Sequence, residues 1–96
     1  MLIEFDPAKD DANREKHGVP LAFGARLFED PYLVLAPTLR LGDEEERFKA
    51  IARVEGKLWT AVHVWRGTAV RMISMRRSNS GEQRTYYRDS GRSERP

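Results

Sequence analysis

The side chains of this sequence best suited to chemistry on an anion are one histidine beside a lysine, followed by a late run of arginines. His17 is the leading acid/base candidate, because an unperturbed imidazole titrates near neutral pH, and Lys16 stands next to it. Arg47, Arg76 and Arg77 fall in segments read below as strands, where a guanidinium fork can hold a phosphate through two parallel hydrogen bonds. Arg76 and Arg77 point to opposite faces, so one of them, in the first instance Arg76, serves as the clamp. Glu82 and Tyr86 are four apart and share a helix face. There Glu82 would orient an arginine or act as a base, and Tyr86 would stack on a base or donate to a phosphate. Such a set is rich in cations and poor in neutral-pH bases. Transfer at a phosphodiester would need one group to take a proton, another to return one, and cations to stabilise the charge that develops. By themselves these residues point only to a small basic α+β domain suited to binding nucleic acid. Each residue also has a plainer reading. Lys16 and His17 suit the negative end of a helix dipole, each arginine suits a solvated strand edge, and Tyr86 suits packing of a helix on a sheet.

Other chemistries lack their residues. Without cysteine there is no disulfide framework, thiolate metal site or cysteine nucleophile. The histidines, His17 and His63, have no metal-ligand partner at useful spacing, so no metal site is expected. His63 lies between Val62 and Val64 and shares a strand face with Trp59, Ala61 and Trp65, which reads as a packed histidine. Trp59 and Trp65 read as core aromatics unless exposed for stacking. Glu29 and Asp30, next to Pro31, read as turn residues rather than a catalytic carboxylate pair.

The net charge of +2 over 96 residues conceals an asymmetry. Residues 1–45 carry 5 Lys/Arg against 10 Asp/Glu, a balance of −5, whereas residues 46–96 carry 12 against 5, a balance of +7. A basic second half points either to a polyanion partner or to a solvated surface. No basic-then-apolar leader opens the sequence, and no stretch reaches the roughly 18 apolar residues of a membrane span. A soluble, cytoplasmic protein without a membrane association is expected.

The elements that must position these residues follow from periodicity. Leu2–Phe5 predicts a short strand. Asp6 and Pro7 predict a helix start, with Asp6 as acceptor for first-turn N–H groups, and Gly18 a left-handed end after Lys16 and His17. Leu21, Ala25 and Phe28, at i, i+4 and i+7, predict a second helix from Pro20 to Asp30. Strands follow at 32–36, stopped by Pro37, then at 47–54, 58–66 and 69–77. Polar residues 40–45, Glu55–Lys57 and Arg66–Thr68 make the turns. A last helix runs over 82–88, capped by Ser78, Asn79 or Ser80. The expectation is one α+β domain over residues 1–88: an antiparallel sheet of four to five strands, one face covered, with two N-terminal helices and one C-terminal helix. Residues 89–96 have the composition of a disordered tail.

Short words along the chain resemble the BrnT family. They are Phe5-Asp6-Pro7-Ala8-Lys9, then Asn13 and Lys16-His17-Gly18-Val19, then Phe28-Glu29-Asp30-Pro31 and Glu46-Arg47-Phe48. Val64-Trp65-Arg66 and Arg71-Met72-Ile73-Ser74-Met75-Arg76-Arg77 follow, with Glu82, Arg84 and Tyr86 beyond them. In order and spacing they cover roughly residues 5–86. Two positions depart: Pro20 stands where relatives commonly have a capping Ser or Thr, and Ser80-Gly81 where they carry charged helix formers.

The resemblance implies a RelE-like fold and a metal-independent endoribonuclease toxin of a type II toxin–antitoxin system, without a cofactor. It implies an RNA substrate and inhibition of translation and growth. Its antitoxin would be similar to BrnA, a ribbon-helix-helix protein, in a hetero-oligomer that meets operator DNA only through that partner. Lys16, His17, Arg47, Arg76, Glu82 and Tyr86 are then the candidate catalytic residues, and Arg66, Arg77 and Arg84 the candidate RNA contacts. The alternative is a non-catalytic module that binds nucleic acid or protein as a co-repressor.

Overall fold

The computed structural model describes residues 1–38 and 45–92. Along the chain run β1 (Leu2–Glu4), α1 (Pro7–His17), a 3-10 helix (Leu21–Glu29), β2 (Val34–Thr38), β3 (Arg47–Val54), β4 (Lys57–Arg66), β5 (Ala69–Arg77) and α2 (Ser80–Ser90). The five strands form one sheet in the order β1-β5-β4-β3-β2. The α+β class holds. The sheet, however, is mixed rather than antiparallel: β1 runs parallel to β5, with Leu2 beside Ala69 and Glu4 beside Arg71. Three residues of β1 carry no periodic signal able to reveal a partner more than sixty positions away.

The meander β3–β4–β5 forms where period-two patterning placed it. Glu55 and Gly56 both take positive φ, 52° and 78°, the geometry of a two-residue hairpin turn matched to strand twist. In β5 the register slips: Val62 faces Ser74 while His63 faces Met72, leaving Ile73 as the extra residue of a bulge. β2 begins at Val34 and continues through Pro37 instead of stopping there. An edge strand tolerates proline because one side of its backbone needs no ladder hydrogen bond. Of the turn expected at 40–45, all but Glu45 lies outside the described residues.

The second helix departs from expectation in its winding. Leu21, Gly24, Leu27 and Asp30 are buried, a spacing of three, whereas the expected α-helical stripe at Leu21, Ala25 and Phe28 leaves Ala25 and Phe28 only half-buried. A period of three is that of a 3-10 helix. Gly24 permits it to lie close on the sheet, since a Cβ there would sit 2.7 Å from the Met72 Cε. This helix covers one sheet face with Ala50, Ala52, Ala61 and Met72 beneath it. The other face is not bare, as expected, but carries α2, whose Tyr86 packs on Val34, Ile51 and Leu58.

Helix α1 lies against β5. Its left-handed end at Gly18 (φ 78°) is as expected, while Asp6 precedes the helix without a side-chain capping bond. Asp10 and Asn13 do the fastening. The Asp10 carboxylate accepts from the Leu21 N–H at 2.7 Å, supplying from α1 the acceptor that Pro20 cannot provide to the 3-10 helix. Asn13 donates to the Met75 carbonyl at 2.9 Å and accepts from the Met75 N–H at 3.0 Å. Its amide thus stands in for a strand neighbour where β1 has run out. At the far end, α2 starts from a reciprocal capping box: Asn79 accepts from the Glu82 N–H at 2.8 Å, and the Glu82 carboxylate accepts from the Asn79 N–H at 2.9 Å. That box offsets Ser80-Gly81, weak helix formers, and α2 extends to Ser90, inside the stretch expected as tail.

Candidate nucleic-acid interface and acid-base groove

Alternation along the strands sorts the cations. On the face that carries α2 lie Arg47, Lys49 and Arg53 of β3 and Arg71 and Arg76 of β5, as the cross-strand register fixes. Two rows matter: Lys49–Val62–Ser74, and next to it Ile51–Thr60–Arg76. Glu82 descends from the first turn of α2 onto these rows. Its Oε1 accepts from one terminal nitrogen of Arg76 at 2.6 Å and its Oε2 from the other at 2.7 Å. The Lys49 Nζ reaches Oε2 at 3.0 Å.

Only 5% of the Glu82 side chain is exposed. Burial pushes its carboxyl up, but the Arg76 fork, the Asn79 N–H and Lys49 outweigh that and hold it down at about 2. Glu82 is therefore a fixed anion at neutral pH. The same hydrogen bonds raise Arg76 above its ordinary value.

His17 and Lys16 stand at the rim of this face. With Lys9, Asn13, Ile73 and Ser74 they line an open groove of about 260 Å³ between α1 and β5. Burial, then the Lys16 charge, then the Arg76 charge push the His17 imidazole below its ordinary value, so it is neutral at pH 7 and within electrostatic reach of Arg76. The end of α1 thus lies within range of the Arg76 charge, with Ser74 of β5 lining the groove between them.

The remaining candidates are placed as follows. Arg47 shares the face and is half-buried, but it begins β3 four residues before Ile51, which is in the Arg76 row. That is about 13 Å along the strand. Arg66 ends β4 and pairs with Glu45 at 2.8 Å. Arg77 lies on the opposite face, 5.5 Å over the Trp59 ring, with its Nε donating to the Leu58 carbonyl. Arg84 is exposed on α2 beside Ser80, Gln83 and Tyr87. Tyr86 is fully buried, and its hydroxyl donates to the Asp30 Oδ2 at 2.7 Å. It has no surface left for a base to stack on and makes the packing contact of its plainer reading. His63 is fully buried among Phe28, Phe48 and Trp65.

Three residues escaped the sequence reading. Lys49 had a signal, its i, i+2 spacing from Arg47 on a strand. Asp30, read as a turn residue, is a buried hub accepting from the Tyr32 and Arg53 N–H groups, both at 2.8 Å, and from Tyr86. Burial raises its carboxyl, yet these donors and the Arg92 charge hold it below the ordinary value. Asn13 was noted only as part of a motif. Among the described residues no group of three or more His, Cys, Asp or Glu is placed to hold a metal ion, and no helix is long and apolar enough to cross a membrane.

Fold and site together define a small α+β domain with a cationic sheet face and a histidine-bearing groove at its edge. The sequence profile of the ribonuclease toxin BrnT of type II toxin–antitoxin systems matches residues 5–82, and the chain belongs to that family. A search of curated proteins finds no significant match. The family is one of ribonuclease toxins, which implies an RNA target and an antitoxin partner.

Proposed function

We propose that this protein is a metal-independent endoribonuclease toxin that cleaves RNA, arrests translation and growth, and is neutralised by a ribbon-helix-helix antitoxin of the BrnA kind. The observation that carries the reading is a His17 groove at the β5 edge, lined by Ser74 and within range of the charge of Arg76, which Glu82 holds in place. In this mechanism the RNA 2′-hydroxyl is the nucleophile. His17 and Lys16 supply acid/base function and charge stabilisation, taking the 2′ proton and returning one to the 5′-oxygen as the P–O5′ bond breaks. The products are a 2′,3′-cyclic phosphate and a 5′-hydroxyl. Arg76, held by Glu82, faces the phosphorane charge, and Arg47 and Arg66 contact the strand further along.

Tyr86 and Arg77 have no part in this chemistry, the first being buried and the second lying on the other face. We read the mixed sheet with its flanking helices as RelE-like. An antitoxin segment rich in acidic residues would cover the cationic face in a hetero-oligomer in the cytoplasm, and operator DNA would be met through that complex.

The test is cleavage of end-labelled RNA by the purified protein in EDTA. New 2′,3′-cyclic ends are expected. RNA binding without new ends would instead favour a non-catalytic module.

A further inference from the structure

Lys49 stands two residues from Ile51 of the Arg76 row, about 7 Å along β3. Arg53, equally far on the other side, has its guanidinium engaged with Tyr87. Its own row leads across Val62 to Ser74, which lines the His17 groove, and both neighbours are shorter than a lysine and only half-buried. Two strand spacings, about 10 Å, separate Lys49 from that groove. The Lys49 side chain is 34% exposed.

The two cations on Glu82 are held unequally. Arg76 engages both carboxylate oxygens in a planar fork. Lys49 reaches one, which it shares with Arg76. The trio of Arg76, Lys49 and Glu82 carries one positive charge beyond neutrality, and a flexible ammonium moves more readily than a guanidinium locked in a fork.

We infer that Lys49 is a phosphate-contacting residue of the RNA site, its ammonium turning from Glu82 to a backbone phosphate over Val62 while Arg76 stays clasped. Glu82 is then a positioning residue: it parks Lys49 in the free protein and keeps Arg76 in place in the complex. The inference rests on the ribonuclease reading above and adds the direction of the strand, from the His17 groove across β4 towards β3.

The experiment measures binding of a 2′-O-methyl RNA oligonucleotide, which lacks the nucleophile, across about 50 to 200 mM salt. It compares wild type with Lys49→Gln, Lys49→Met and Lys49→Arg. Gln retains a donor to Glu82 without the charge, which keeps a folded comparison should Met unfold. Loss of one phosphate contact lowers the slope of log affinity against log salt by about 0.7. Wild type therefore loses about 2.6-fold more affinity than the Gln and Met variants over that range, and Arg restores the wild-type slope. In cleavage, the Gln variant shows its loss in KM rather than kcat. A wild-type slope in Gln and Met, with only a lower melting temperature, overturns the inference and leaves the ribonuclease reading intact. A wild-type protein that neither binds nor cuts RNA overturns both.

Discussion

The carboxylate of Glu82 lies across the guanidinium of Arg76 with both oxygens engaged, at 2.6 and 2.7 Å, at the junction of α2 and the end of β5. Removing one partner of a buried pair costs more than the pair contributes, because the other is left desolvated. Glu82→Gln should destabilise the fold by about 3 kcal/mol in urea unfolding, whereas a change below about 0.5 kcal/mol would show the pair to be solvated.

Acid should unfold the protein in two windows. Glu82 ionises near 2 in the folded chain against an ordinary 4.5, so its contribution is complete above 4.5 and lost as pH falls towards 2. This amounts to about 3 kcal/mol. Burial lowers His63 below 6.5, so the folded state binds fewer protons than the unfolded one and stability falls as pH drops below 6.5. Urea midpoints measured from pH 7 to 3 should show both slopes. Glu82→Gln should shrink the lower one to the part that the depressed Asp30 carboxyl supplies, and leave the upper one unchanged.

His17→Ala should lower RNA cutting by at least about 10²-fold with the fold intact by circular dichroism, and Arg76→Ala by a similar factor. Because burial, Lys16 and Arg76 depress His17, the wild-type pH–rate profile should carry a limb with its midpoint below 6.5 that is absent in His17→Ala. Wild-type rates in both variants would remove the assigned site.

Asn13→Ala should cost about 2–4 kcal/mol, since the Met75 N–H and carbonyl would both lose their partner at a buried position. Amide exchange at Met75 should accelerate in this variant even where global unfolding is suppressed. Unchanged protection at Met75 would mean the clamp carries no weight.

Tyr86→Phe removes the hydroxyl that Asp30 accepts and should cost about 1–2 kcal/mol. Its kcat should stay within about twofold of wild type under conditions where both are folded. A 10²-fold loss of kcat would return Tyr86 to the chemistry.

The sequence was most readable where a structural signal is local. The alternation at Arg47–Val54, the Gly18 end of α1 and the span of β5 from Ala69 to Arg77 each rest on neighbours a few residues apart. Contacts between distant segments left no such trace. The parallel pairing of Ile3 with Val70, the Asn13–Met75 clamp and the Tyr86–Asp30 bond join residues separated by more than fifty positions. The 3-10 winding was hidden for another reason: Leu21 fits a period of three or of 3.6 equally well, and only burial of Gly24 and Leu27 decides between them. For the candidate site, the sequence suggested Lys16, His17, Arg76 and Glu82 but not Lys49, because a lysine in the middle of a strand looks like any solvated charge until a carboxylate is seen against it.

The Asn13 amide has a consequence for how this chain keeps to itself. Beyond Glu4, β5 would present bare donors and acceptors to any passing strand, an invitation to self-association that small sheet proteins must refuse. Asn13 occupies those groups at Met75, and on the opposite margin Pro37 offers no N–H at all. Each border of the sheet thus carries one position blunted against indiscriminate stacking of copies.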